Sequence, residues 1–212
     1  ETLAAMMNLK PDLPVKTLRE AFGNALKENV RMAGFTTART GGTADGLLTA
    51  NSSDELAAFA GLLWKMEVPF KVLGSGSNVL ISDQGYRGVV ILNRARNFEI
   101  DIENTPASIR AESGANLGGI ARQAALQGLS GLEWATTIPG SVGGAVYGNA
   151  GAHGGDVNGH LMLAEILHQM TGWENWSCDR MQYGYRTSAL KQQRQPAVIL
   201  SARFALTQST PE

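Results

Sequence analysis

Near the start of the chain, apolar side chains recur three and four residues apart. Leu18, Ala21, Phe22, Ala25, Leu26 and Val30 fall on one face of a helix drawn over Pro14 to Val30, with Lys and Glu opposite. Such stripes are usually core, so this helix is expected to pack on its own domain. From Arg31 to Thr49 small and polar residues take over, and Arg39 to Gly42 reads as a turn. Ser52 to Glu55 is a capping box ahead of Leu56, Phe59, Leu63 and Met66, which predicts a second helix ending before Pro69. Pro69 to Leu73 reads as a short strand. Val89 to Leu92, Phe98 to Ile102 and Ser108 to Ala111 read as further strands, the last two neighbours in a meander. Leu117 to Gln127 is a helix stopped by Gly128, Leu161 to Met170 fits neither period, and Ala197 to Leu206 closes as a strand. Short strands interleaved with single helices point to an α+β fold, not a doubly wound parallel sheet. No internal repeat or low-complexity tract interrupts this pattern.

One stretch has neither period. Between Gly128 and Gly155 stand Gly131, Gly140, Gly143, Gly144, Gly148, Gly151 and Gly154, a density that few helices or ordinary hairpins would use. Glycine costs backbone entropy and offers bare backbone in return. Few charges and the presence of Trp134, Ile138, Val142, Val146 and Tyr147 argue against a linker. Two readings stand: a ligand lying along exposed N–H groups, or a tightly turned buried loop. Gly74-Ser75-Gly76-Ser77-Asn78-Val79 poses the same choice. Val79 replaces the third glycine of a dinucleotide fingerprint, no amphipathic helix follows, and the lysine of a P-loop is missing. What remains is either a nest of N–H groups suited to a pyrophosphate or a plain hairpin turn.

Tyr183-Gly184-Tyr185-Arg186-Thr187-Ser188 is a third cluster. Arg186 is either a fixed cationic fork for a carboxylate or enolate, or a surface arginine packed on Tyr185. His153, His160, His168 and Cys178 show no metal-ligand spacing, and Glu133 and Asp156 are lone carboxylates. The 212 residues are 43% hydrophobic and 17% charged with a net charge of -1, an ordinary globular balance that disfavours nucleic acid or an anionic membrane as partner. A single cysteine fits a reducing cytoplasm, and no apolar run is long enough to span a bilayer. A first residue of Glu1 instead of Met is read as a trimmed start.

Taken in order, these segments resemble the MurB family, the UDP-N-acetylenolpyruvoylglucosamine reductases of bacterial cell-wall synthesis. The matching stretches are Thr36 to Asp45, Leu73 to Leu80, Gly131 to Glu133, Ile138 to Ala145, Asn149 to Gly151 and Tyr185 to Ser188, within about Asn29 to Leu206. The resemblance implies a FAD-binding fold of the vanillyl-alcohol-oxidase (PCMH) type made of two α+β subdomains. These are expected over 31–92 and 93–206, after an N-terminal helical extension (1–30) and before a tail (207–212). It implies that Gly74, Ser75, Gly76, Ser77, Asn78 and Val79 hold the pyrophosphate of non-covalent FAD. Thr137, Ile138, Pro139, Gly140, Val142, Gly143 and Gly144 would lie along the flavin and ribityl chain, with Gly114, Asn149 and Gly151 completing the contacts. Arg186 is the implied catalytic arginine, with Tyr185 beside it facing substrate, UDP-N-acetylglucosamine enolpyruvate. NADPH is the implied hydride donor, and peptidoglycan synthesis in the cytoplasm the implied setting. His153 stands where the family has tyrosine. The family's third, substrate-binding domain has no counterpart in this sequence, so the chain is expected to bind flavin without completing the reaction. Another FAD-dependent oxidoreductase of the same fold, or a non-catalytic flavin-binding module, are the alternatives.

Overall fold

A computed structural model describes residues 13–209. Residues 1–12 of the expected extension and 210–212 of the expected tail lie outside the described residues. The chain begins with α1 (Val15–Phe22), then β1 (Lys27–Arg31), β2 (Thr43–Ala50), α2 (Ser53–Lys65), β3 (Phe70–Leu73) and β4 (Tyr86–Asn93). The four strands form one sheet in the order β1-β2-β4-β3; β1 and β2 are antiparallel, while β2 and β3 both run parallel to β4. β4 is central and buried throughout its Gly88–Asn93 stretch, as the unbroken run Val89-Val90-Ile91-Leu92 anticipates for a strand covered on both faces. Ser52 caps α2 by accepting from Glu55 N, while the Glu55 carboxylate reaches back to Asn51 N at 2.8 Å, a capping box shifted by one residue.

Two predicted segments differ. The helix expected over Pro14 to Val30 stops at Phe22 because Gly23 takes φ 50°, and Lys27 to Arg31 pairs with β2 instead. Leu18 is fully buried and Phe22 meets Phe59 edge-on, so α1 packs on its own domain as its stripe implied. The stretch read as small and polar contains β2, whose Ala44, Gly46 and Ala50 have poor strand propensity but sit between neighbouring strands, where burial decides.

The second sheet is built from β5 (Phe98–Asp101), β6 (Ala107–Glu112), β10 (Leu161–His168), β11 (Gly172–Trp176) and β12 (Ala197–Gln208), antiparallel in the order β11-β10-β12-β6-β5. A short strand, β7 (Leu129–Ser130), pairs with the end of β12. Helices α3 (Leu117–Leu126) and α4 (Val142–Gly148) cover one face, with Ile109, Leu117, Ile120, Val146, Ile166 and Phe204 in the core between. The hairpin of β8 (Gly151–Ala152) and β9 (Gly155–Asp156) follows α4, and two single turns, α5 (Cys178–Met181) and α6 (Ala189–Gln192), precede β12. α4 corrects the reading of the glycine stretch as non-helical. Ser141 caps it, and Val142, Ala145 and Val146 form a buried stripe through its glycines. Leu161 to His168, ambiguous in sequence, is a strand with both faces covered: Ala164 and Ile166 join the second core, Leu167 the first.

The sheets are joined where α2 meets β6 and β12. Glu112, 7% exposed, accepts from Ser53 N and Asn97 N at 2.8 Å each, and Ser53 Oγ donates to Leu200 O at 2.8 Å. Removing that carboxylate strands two N–H groups. Glu112→Ala should therefore lower unfolding free energy by roughly 2–4 kcal/mol, read from the urea midpoint; an unchanged midpoint would show that the seam does not depend on it.

Candidate flavin-dinucleotide site

The loop after β3 and the segment before α4 lie against each other. Ser77 Oγ donates to Pro139 O at 2.9 Å, and a Cβ at Gly74 would collide with Ser141 Oγ. Along this rim the N–H groups of Ser75, Gly76, Ser77, Asn78 and Val79 donate to no backbone acceptor among the described residues, nor do those of Gly140 and Ser141. Unspent donors in succession make an anion nest. Ser75, Asn78, Thr137 and Pro139 are exposed; Gly74, Ser77, Ile138 and Gly140 are half-buried; Gly76 is buried against Phe35 O. Val79 and Leu80 leave 39% and 83% of their surfaces uncovered beside the rim, an apolar edge next to polar donors. Gly144 is exposed on α4, and a Cβ there would come no nearer to protein than Ser141 Oγ at 3.5 Å.

Other expected contacts support the rim from behind. Val142 is fully buried, and its N–H donates to Ala115 O. Gly143 spends its N–H on Ser113 O, and its missing side chain is required by Ser113 Cβ, 2.9 Å from where a Cβ would stand. Gly114 is buried, with Asn93 and Ala95 filling the space a side chain would need. These three positions owe their residue type to protein packing. Ser141 lies in the stretch expected along the flavin, but its sequence reading gave it no role of its own. It caps α4 and touches Gly74, and the signal was a serine three residues ahead of Gly144 at the head of an apolar stripe.

At the other end of α4, the turn carrying Arg186 is docked by three hydrogen bonds. Tyr183 Oη donates to Val146 O at 2.9 Å, Ser188 Oγ to Tyr147 O at 2.7 Å, and Asn149 Nδ2 to Gly184 O at 3.1 Å. Burial pushes the Tyr183 phenol far above its ordinary pKa, which keeps it a donor. Asn149, left-handed with φ 46° and 6% exposed, also donates to Asp156 Oδ2 and accepts from Asn158 N. Its side chain is thereby used within the protein, tying the β8–β9 hairpin to the arginine turn. Arg186, itself at φ 57°, donates from Nη2 to Gly151 O at 2.7 Å and lies 5.6 Å from the Tyr185 ring centre. Tyr185 is 90% exposed. A cavity of about 540 Å³ opens here, lined by Gly151, His153, Asp156, Tyr183, Tyr185 and Arg186 among others. Thr137 Oγ1 approaches His153 Nε2 at 3.5 Å, linking the rim to the cavity mouth. Among the described residues no cluster of His, Cys, Asp and Glu is suited to a metal, and no helix is long and apolar enough to cross a membrane.

The family model described as FAD binding domain matches residues 44–171, a stretch that contains both sides of this rim. The UDP-N-acetylenolpyruvoylglucosamine reductase of Synechococcus sp. (strain RCC307) is 43% identical over 85% of this chain and 59% of its own length. That of Chloroflexus aggregans is 32% identical over 92% of this chain and 67% of its own. The crystal structure of the Thermus caldophilus reductase (MurB) superposes with a TM-score of 0.71 at 30% identity, covering 86% of this chain and 62% of that one. The chain belongs to the UDP-N-acetylenolpyruvoylglucosamine reductase family, with the vanillyl-alcohol-oxidase type of FAD-binding fold, and spans about 59% of the length of the first of these relatives.

Two glycines in the site separate packing from ligand access. Gly74→Ala should destabilise by roughly 1–3 kcal/mol by overpacking against Ser141. Gly144→Ala should stabilise by about 0.5–1 kcal/mol, since helical glycine is entropically costly. Thermal unfolding of the two variants should move in opposite directions; a common direction would refute the described contact.

Proposed function

We propose that this chain is the FAD-binding portion of a reductase that uses NADPH to convert UDP-N-acetylglucosamine enolpyruvate to UDP-N-acetylmuramate, a cytoplasmic step of peptidoglycan synthesis. The observation that carries the reading is the convergence of the Ser75–Val79 and Gly140–Ser141 donors on one rim, with the Arg186 turn docked on the same helix α4. The residues fit a dinucleotide. The Ser75–Val79 amides suit its diphosphate, and Ile138, Pro139, Gly140, the bare face at Gly144 and the backbone at Gly151 suit a flat ring and its ribityl chain. When bound, FAD supplies the hydride relay between NADPH and the enolpyruvyl double bond. The backbone amides position the dinucleotide without a lysine. Arg186 offers further N–H donors beyond the one held by Gly151 O, so it can grip the enolpyruvyl carboxylate and offset the negative charge that builds before a proton arrives. Exposed Tyr185 flanks the same cavity and is assigned to the substrate.

Two measurements test this reading. The purified protein should take up one FAD and show flavin absorbance; a colourless protein that ignores added FAD would refute it. In the complete gene product, Arg186→Ala should reduce enolpyruvyl turnover by roughly 10²–10³-fold, the scale of one lost anion-stabilising donor, with flavin content unchanged. Undiminished turnover would assign the chemistry elsewhere.

A further inference from the structure

Arg94 is a half-buried cation beside the rim. Parallel pairing of β3 with β4, in a register that sets Leu73 opposite Leu92, brings Arg94 beside Gly74. Its Nη1 donates to Gly74 O at 3.0 Å and more weakly to Asn93 O at 3.4 Å. Arg19, Arg87, Arg110, Arg180 and Arg203 each form an ion pair with a carboxylate; of the described arginines that form none, Arg31, Arg39, Arg96, Arg122, Arg186 and Arg194 are exposed and Arg94 is half-buried. Burial, and then the charge of nearby Arg96, pull its pKa below the usual arginine value, although it stays cationic. A partly desolvated cation without a partner is costly, and an anion nearby relieves that cost.

The hydrogen bonds also fix which way the loop faces. In a trans peptide the carbonyl and the following N–H point in opposite directions. Gly74 O is turned toward Arg94 and Gly76 O accepts from Thr37 N at 3.0 Å, so the N–H groups of Ser75 and Ser77 point away from both. We propose that Arg94 is a positioning residue for a dinucleotide diphosphate: it turns the Gly74 peptide so that the Ser75 N–H faces the ligand on the same side as that of Ser77, and it sets a full positive charge one peptide behind the loop. This role rests on the FAD reading above. Neither the glycine-serine motif nor any candidate residue read from the sequence includes it.

The test is FAD titration of wild type, Arg94→Gln and Arg94→Lys, followed by flavin fluorescence. It is run at about 10 mM and about 1 M salt, where the screening length falls from ~30 Å to ~3 Å. Arg94→Gln should weaken FAD roughly tenfold at low salt, the scale of one partly screened charge pair, and the gap should close at high salt. Arg94→Lys should stay within about threefold of wild type. Unchanged affinity of Arg94→Gln, or an equal loss in both variants that salt does not alter, would overturn the proposal and leave Arg94 a purely structural brace. Wild type that takes up no FAD would overturn the cofactor reading beneath it, a distinct outcome.

Discussion

The molecule depends on one close approach, the contact of Gly74 with Ser141 reinforced by Ser77 Oγ on Pro139 O. It joins a loop that leaves the parallel sheet to the segment that enters helix α4 over the antiparallel sheet. Without a glycine at 74 the two backbones could not come this near, and the unspent amides on either side would not share an edge. The donors along this edge are therefore set largely by backbone geometry. Side chains act mainly by turning carbonyls inward, as Arg94 does at Gly74, or by capping helix ends, as Ser141 and Ser188 do.

How much of this was legible in the sequence follows from where each signal resides. Ser52 to Lys65, Val89 to Leu92 and the β5–β6 meander were readable because cap, run and period are local. β2 and α4 were not, because Ala44, Gly46 and Gly143 take their conformations from neighbours distant in the chain. Leu161 to His168 defied both periods since it faces two cores at once, which erases alternation.

For the site, the residue types were legible and their directions were not. The Gly74–Val79 motif and the Arg186 cluster stand where a ligand can meet them. Val142, Gly143 and Gly114 instead have their N–H groups or missing side chains committed to β6 and its flanks. Asn149, expected as a ligand contact, also ties hairpin to turn, its buried amide donating to Asp156 and Gly184 and accepting from Asn158 N. Ser188 is likewise internal, fully buried with its hydroxyl on Tyr147 O.

Strand β12 has a consequence for how the chain matures on the ribosome. Val198 and Leu200 complete the cluster around α2, while Ile199, Ala202 and Phe204 complete the other core, so a single late stretch seals both halves. Until those residues leave the exit tunnel, the nascent polypeptide carries two unsealed apolar surfaces. Folding of this region therefore waits for a zipper-like closure that locks both layers together, and a pause before residue 197 would prolong its need for chaperone shelter.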